Sequence, residues 1–275
     1  MIYFMDMCSN GNFSEFINQT LSKQEISWIK ESSEMTKEGL NNTKFYLRFG
    51  RVYRHIQLKA VPEHVSTVFK NTHELVRFYL LTYAGTSPDQ EVLEKLFDTG
   101  NTSETITLYK SLQYLESPEK YVHRVTEGIR TNILEVYDAI AYSNSFPAQY
   151  LPELAFNQLV LKGIFNERPI YLIEGLEKRL NDELALTAYD YIHERWSAGR
   201  KVTSEIWLLL TPILSEKHTD FLTKGIQSGD ELQSKAIQLA IVDSKNQNLI
   251  ENINANHPGI TWNEIGEQIH TNNRQ

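Results

Sequence analysis

Apolar residues recur at spacings of three and four along most of this sequence. That spacing collects them on one face of an α-helix, whereas a half-buried strand would alternate apolar and polar positions. The longest such stretch, residues 118–142, is predicted to form a single helix. Its apolar face is formed by Val122, Val125, Ile129, Ile133, Val136 and Ile140. The pattern therefore predicts an all-α protein.

Capping residues mark where many of these helices begin and end. Ser22 with Glu25, and Thr261 with Glu264, match the capping box, in which each side chain satisfies a backbone N–H of the other residue. Further predicted caps are Ser87, Ser117, Thr203, Ser215 and Asp230, and predicted helix ends are Gly85, Gly100, Gly163 and Gly199. These signals predict about a dozen packed helices.

One domain is predicted for residues 13–270, preceded by a poorly ordered N-terminus at residues 1–12. From about residue 203 onward, the order of helix, Ser-Gly-Asp turn and helix resembles HEAT-type helical hairpins. No repeat of fixed period is evident. An irregular helical bundle and a stacked α-superhelix therefore fit the sequence about equally well.

Charge and cysteine content narrow the classes of function. The chain has 35 Asp and Glu against 27 Lys and Arg, a net charge of −8. Because nucleic-acid binders normally carry a basic balance, no nucleic-acid partner is expected. The single cysteine, Cys8, provides neither an intrachain disulfide nor a site with several thiolate ligands.

The sequence also predicts where the protein resides. Residues 1–12 have no basic segment ahead of their short apolar run, unlike a secretory signal. The apolar runs fall far short of the ~20 residues that a transmembrane helix needs. A cytoplasmic protein without a transmembrane segment is therefore expected.

Polar residues lie among apolar ones in three segments, of which the first is on the predicted long helix. There, Thr131 and Asp138 fall within about 40 degrees of Glu127, and Arg130 projects to one side. An exposed ladder of ion pairs would explain this stripe about as well as a functional site would. However, the flank of Asp138 is otherwise uncharged, and an acid in such surroundings needs a partner or has a raised pKa.

The second segment places Asn157 and Gln158 on an otherwise apolar helix, with Lys162 one turn beyond Gln158. Amides at such positions often bond to loop backbone, so a structural role is favoured over ligand binding.

The third segment contains His193 and Glu194. His193 lies one turn beyond Tyr189 and three residues beyond Asp190, and either side chain could orient its imidazole. The second histidine of a His-Glu-x-x-His zinc motif is absent, because Ser197 occupies its position. With no phosphate loop, dinucleotide fingerprint or nucleophile elbow either, no metal and no cofactor are expected.

These three segments resemble the EboA family. The resemblance is strongest from about residue 97 to residue 207. The matching positions are residues 127–132, residues 138–141, Asn144, Pro147, Asn157, Gln158, Lys162, residues 193–196 and residues 198–200. The resemblance implies no catalytic roles for them.

Membership of that family would imply a biological setting. EboA proteins are encoded in a conserved bacterial gene cluster whose other products resemble a UbiA-type prenyltransferase, a sugar-phosphate cyclase and metal-dependent hydrolases. The cluster is associated with secondary metabolism, including delivery of a scytonemin precursor to the periplasm.

Two hypotheses of function follow, and an α-superhelix scaffold is a third. In the first, an accessory protein binds a polar or anionic metabolite, or a partner from the same gene cluster, between the long helix and the helix that bears His193. Its predicted ligand-binding residues are Arg130, Asn132, Asn144, Asn157, Gln158, Lys162, Arg195, Trp196 and Arg200. In the second, a cofactor-independent enzyme uses acid–base catalysis. Its predicted catalytic residues are Glu127, Asp138, His193 and Glu194.

Overall fold

The computed structural model describes residues 12–37, 42–63, 65–82, 90–228 and 230–272. Throughout these ranges the named elements are helices, and Ala60 and Asn71 form an isolated antiparallel bridge. The all-α prediction is confirmed. No helix in this described part of the chain is both long enough and apolar enough to cross a membrane.

The chain divides into two compact units, Met1–Tyr150 and Leu151–Gln275. Three residues of the sequence predictions, Cys8, Gly85 and Ser87, fall outside the described ranges, as does nearly all of the predicted N-terminal segment.

The N-terminal unit is organised around one central helix. Its α-helices are α1 (Asn12–Thr20), α2 (Lys23–Lys37), α3 (Asn42–His55), α4 (Thr72–Thr82), α5 (Gln90–Thr99), α6 (Thr102–Ser111), α7 (Val122–Ile129), α8 (Leu134–Ala141) and α9 (Phe146–Tyr150), with 3₁₀ helices at Leu112–Tyr114 and Pro118–Tyr121. Helix α6 packs against α4, α5 and α8. Its Leu108 is fully buried, so this helix contributes to the core on several sides.

The prediction of one long helix over residues 118–142 is wrong. The segment forms a 3₁₀ helix, then α7, then α8, and residues 130–133 separate the two α-helices. Glu127 and Asp138 therefore lie on different helices, and the predicted stripe that joins them through Thr131 does not exist as one helix face.

Local hydrogen bonding explains the break. The backbone N–H of Ile133 donates to Thr131 Oγ1 at 3.1 Å, a bond that competes with continuation of the helix. Thr131 and Ile133 are β-branched, and Asn132 favours turns over helix interiors. Ile133 adopts an extended conformation at the N-cap of α8, so the helix starts afresh there.

The C-terminal unit is organised around a buried 3₁₀ helix. Its α-helices are α10 (Glu153–Phe165), α11 (Asp182–Ser197), α12 (Thr219–Ile226), α13 (Glu231–Asp243), α14 (Gln247–Ile253) and α15 (Trp262–Asn272), with 3₁₀ helices at Ile170–Leu172, Leu176–Arg179, Ser204–Leu210 and Glu216–His218. The segment Ser204–Leu210 is buried along its whole length and contacts α11, α13 and α15. Helix α13 packs on both α12 and α14, as consecutive hairpins would.

Several predicted caps are confirmed. Glu25 Oε2 accepts the backbone N–H of Ser22 at 2.7 Å, and Glu264 Oε2 accepts that of Thr261 at 2.8 Å. Asp230 caps α13 by accepting the backbone N–H of Gln233 at 2.9 Å.

Other predicted helix signals behave differently. Neither Ser117 nor Thr203 caps a helix with its side chain. Gly163 lies inside α10, because the apolar face of that helix continues beyond it. Gly100, in contrast, directly follows the last residue of α5. Gly199 directly follows the C-cap residue of α11.

Candidate functional site

The predicted site residues divide between the two units. The N-terminal unit contains Glu127, Arg130, Asn132, Asp138 and Asn144, and the C-terminal unit contains Asn157, Gln158, Lys162, His193, Glu194, Arg195, Trp196 and Arg200. A pocket to which both groups contribute stays a prediction, and each group is described within its own unit.

Asn144 has a structural role in the N-terminal unit. Its buried amide donates to the carbonyl oxygens of Ala139 at 3.1 Å and Tyr109 at 3.3 Å, and its Oδ1 accepts the backbone N–H of Phe146 at 3.1 Å. These bonds connect α8 to α9 and to the central helix α6. Arg130 and Asn132 are exposed in the break between α7 and α8.

Glu127 lines a cavity of about 310 Å³ in the N-terminal unit, together with Thr131 and Tyr109. Burial raises the pKa of Tyr109 to about 12, and the carboxylate of Glu127 acts in the same direction against the opposing charge of Arg124. The Tyr109 hydroxyl donates to the carbonyl oxygen of Arg124 at 3.1 Å. Asp138 is half-buried and does not line this cavity.

Asn157 supports the start of α11 in the C-terminal unit. Its side-chain amide exchanges two hydrogen bonds with that of Asn181, at 3.2 and 2.9 Å. Asn181 in turn caps α11 by accepting the backbone N–H of Leu184 at 3.0 Å. Of the two other residues predicted on α10, Gln158 is exposed, and burial lowers the pKa of the half-buried Lys162.

His193 belongs to a cluster of aromatic rings. Its exposed imidazole stacks on Phe221 with ring centroids 4.8 Å apart, and the ring of Tyr189 meets it edge-on at 4.5 Å. Trp196 also packs on Phe221, at 5.0 Å. The adjacent Glu194 is exposed. These ring contacts give the side chain of His193 a packing role on the surface of α11.

The C-terminal end of α11 is held by a Schellman motif. Gly199 has a φ of +66°, its N–H donates to the Trp196 carbonyl oxygen at 3.0 Å, and the N–H of Arg200 donates to that of Arg195 at 2.8 Å. The Arg195 side chain extends this arrangement, because its Nε and Nη2 donate to the carbonyl oxygen of Lys201 at 3.1 and 2.9 Å. Arg195, a predicted ligand-binding residue, therefore holds the segment that follows α11 in place.

A cavity of about 540 Å³ lies beside this turn. It is lined by Trp196, Gly199, Arg200, Lys201, Val202, Lys224, Ser228, Asp230 and Gln233. We call it the turn cavity. One part of its lining is the half-buried ring of Trp196, and Lys224 Nζ lies 5.8 Å from the centroid of that ring. The predicted residues Trp196 and Arg200 thus line one cavity.

The lining of the turn cavity is basic. Arg200, Lys201 and Lys224 are exposed, and none of them forms an ion pair with a carboxylate of the described residues. The opposing acid, Asp230, already caps α13 through Oδ1. Three cations against one carboxylate favour an anionic ligand.

Metal-ligating groups are not concentrated in the same way. Within the described ranges, no group of three or more His, Cys, Asp or Glu side chains is arranged to hold a metal ion.

Lys201, Lys224 and Gln233 were not identified from the sequence. Lys201 follows Arg200 directly in the sequence, so this pair of basic residues is a signal from which Lys201 could be predicted. Lys224 and Gln233 lie on α12 and α13, and only the packing of these helices brings them to the end of α11.

The fold and the turn cavity define an all-α protein with a basic, partly aromatic pocket at the end of one helix. The sequence model of the family described as metabolite traffic protein EboA matches residues 70–211, just over half of the chain. The chain belongs to the EboA family, as its sequence motifs predict. No curated protein and no solved structure matches it.

The family match covers the end of α11 but not the whole turn cavity. Trp196, Arg200 and Lys201 lie inside the matched residues, whereas α12 and α13 follow them.

Proposed function

We propose that this EboA-family chain binds an anionic metabolite that contains a flat ring, and that it holds this cargo in the turn cavity. The observation that carries the proposal is the set of three cations, Arg200, Lys201 and Lys224, around a cavity lined by Trp196. Charge-assisted hydrogen bonds would bind the anionic group. The indole ring offers a stacking surface for an apolar ring.

Electrostatics favour an occupied turn cavity. Cations gathered around one cavity repel each other, so an anion between them gains attraction from each and offsets that repulsion. A volume of about 540 Å³ suits a small molecule. The Schellman motif and the Arg195 side chain hold Arg200 and Lys201 in place before a ligand arrives.

The finer setting follows from the family. We propose that the cargo belongs to a secondary-metabolite pathway of the ebo gene cluster, of the kind that supplies a scytonemin precursor. The chain would act in the cytoplasm and pass its cargo to other proteins of that cluster.

Metabolite capture tests the binding site. The purified chain is immobilised, exposed to a metabolite extract of cells that carry the cluster, washed, and analysed by mass spectrometry. The double variant Lys201→Ala/Lys224→Ala should retain at least about tenfold less of an anionic metabolite, because two charge-assisted contacts are lost.

A matched control comes from the same unit. Lys178 and Lys217 are also exposed, and neither lines the turn cavity. The double variant Lys178→Ala/Lys217→Ala removes the same charge and should retain the metabolite like the unchanged chain. Equal loss from both double variants would mean that net charge, and not the turn cavity, governs retention.

A second candidate function is a cofactor-independent enzyme, favoured by the position of Glu127 at the cavity of about 310 Å³ in the N-terminal unit. Glu127 would transfer a proton to or from a substrate bound in this cavity. The captured metabolite should then be converted by the unchanged chain and not by Glu127→Gln. Equal conversion by both proteins would remove Glu127 from the reaction.

A further inference from the structure

A second, larger cavity of the C-terminal unit lies against its last helix. Its volume is about 620 Å³, within the range of small-molecule pockets. Helix α15 contributes Gln268, Ile269 and His270 to the lining, and α10, α11 and α13 contribute other residues. We call it the α15 cavity. It shares Lys201, Val202 and Asp230 with the turn cavity, so the two cavities are neighbours.

Part of the lining of the α15 cavity is apolar. Its aliphatic residues are Ile164, Val202, Leu232 and Ile269. They come from four different segments of the chain, so they can contact an apolar body from several directions. Transfer of apolar surface from water into such surroundings is favourable.

The charged lining of the α15 cavity is predominantly basic. Arg168, Arg195 and Lys201 line it against the acids Glu167 and Asp230, and the ring of His270 is paired with Glu205. A guanidinium has five N–H donors, and the carbonyl oxygen of Lys201 occupies two of those of Arg195. Such a lining favours an anionic group.

A buried hydroxyl supplies an independent observation. Thr203 lines the α15 cavity, and its Oγ1 is buried without a hydrogen-bond partner among the residues that the structure describes. The residue stands at the N-cap of the 3₁₀ helix Ser204–Leu210, yet its side chain makes no capping bond. A buried hydroxyl without a partner is unfavourable, and a ligand oxygen could satisfy it.

Helix α15 is fixed at this position by specific contacts. His270 Nε2 lies 2.7 Å from Oε2 of the buried Glu205, whose Oε1 accepts the backbone N–H of Tyr171 at 3.0 Å. Gly266 packs so closely on the Tyr171 ring that a Cβ at this position would overlap it. The wall of the α15 cavity is therefore part of the folded core.

We propose that the α15 cavity is a second binding site, and that it takes an organic anion with an apolar body. The aliphatic residues contact the body, the basic residues attract the anionic group, and Thr203 donates a hydrogen bond to it. The site goes beyond the proposed function, because it lies in a different cavity.

Binding of 8-anilinonaphthalene-1-sulfonate tests this site, since the probe joins a sulfonate to an apolar ring system. Affinity is measured by isothermal titration calorimetry on the full chain. Gln268→Glu adds a negative charge to the lining with almost no change in shape, and should weaken binding about tenfold. Thr203→Val removes the hydroxyl and should weaken it about threefold to tenfold.

Two controls make the result specific. Asn263→Asp adds the same charge to an exposed position of α15 outside the cavity, and should leave the affinity within about twofold. Lys224→Ala alters the turn cavity alone, so it should weaken only probe bound there and leave unchanged the binding step that Gln268→Glu weakens. The thermal unfolding midpoint of each variant verifies that it is folded.

Three results would overturn the proposal. One is that the unchanged chain does not bind the probe. Another is that Gln268→Glu and Asn263→Asp weaken binding equally, since general repulsion would then explain both. The third is that Lys224→Ala weakens the same binding step as Gln268→Glu, which would assign that step to the turn cavity.

Discussion

Basic side chains have different roles in the two units. In the N-terminal unit, Arg77 is 1% exposed, lies 3.5 Å from Glu104 Oε1 and donates to the carbonyl oxygen of Phe49 at 3.3 Å. Lys110 pairs with the buried Glu74 at 2.8 Å. In the C-terminal unit, the exposed cations around the turn cavity have no carboxylate partner among the described residues.

This difference separates cations that hold the fold from cations available to a ligand. Burial lowers the pKa of Arg77, because the charged form is less well solvated, while the carboxylates of Glu104 and Glu74 act in the opposite direction. A buried charge of this kind depends on its partners. An exposed cation such as Lys201 is solvated by water, so the fold does not depend on it.

The largest expected effect is at Arg77. Arg77→Met should lower the free energy of unfolding by about 3–5 kcal/mol, because it leaves Glu104 without its cation in a buried position. Denaturant-induced unfolding followed by circular dichroism measures this. Arg48→Met breaks an exposed pair with Glu31 and should cost less than about 1 kcal/mol. A loss of that small size at Arg77 would contradict the distinction between the two kinds of cation.

Gly128 gives the next largest effect, again in the N-terminal unit. A Cβ there would overlap the Tyr109 hydroxyl and lie 2.7 Å from Ile140 Cδ1. Gly128→Ala should therefore cost about 3 kcal/mol, the upper part of the range for overpacking. The unfolding midpoint in urea measures it. A neutral result would show that Tyr109 can move aside.

Gly199 tests the turn that carries Arg200 and Lys201. A Cβ at this position would have no atom of the described residues within 4 Å, but the backbone has a φ of +66°. Gly199→Ala should cost about 1 kcal/mol, from the left-handed conformation alone. Gly199→Asn should cost less in the same unfolding experiment, because asparagine tolerates that conformation. Equal costs for Ala and Asn would exclude this explanation.

The smallest expected effect on stability is at the turn cavity. Lys201→Ala/Lys224→Ala should change the free energy of unfolding by less than about 0.5 kcal/mol, since both side chains are exposed and neither pairs with a carboxylate in the described part of the chain. Thermal unfolding of this variant beside the unchanged chain measures the difference. A cost as large as that at Gly128 would assign these lysines to the fold.

Much of the fold could be predicted from the sequence, because helix periodicity and capping depend on neighbouring residues. Ser22 and Thr261 form capping boxes, and Asp230 caps α13, as their local sequence indicates. The break at residues 130–133 could not be predicted from apolar spacing, since that spacing continues through it. There the Thr131 side chain competes for the backbone, and this competition is invisible to the apolar pattern.

The candidate site could be predicted only in part. Trp196 and Arg200 stand in a motif that marks the end of α11, so sequence alone singled them out. The same motif includes Arg195, whose guanidinium donates a hydrogen bond to the carbonyl oxygen of Lys201. Lys224 could not be predicted, because it reaches the cavity through the packing of α12 near the rings of Trp196 and Trp207, and this is a tertiary contact.

The bonds from Arg195 to the carbonyl oxygen of Lys201 also affect how tightly a cargo can be held. Ordering a flexible segment costs conformational entropy, and a site that orders only upon association loses affinity by that amount. Here the segment after α11 is already ordered when the chain folds. Binding of the proposed cargo therefore does not have to order this segment, and that entropic cost is not subtracted from the affinity.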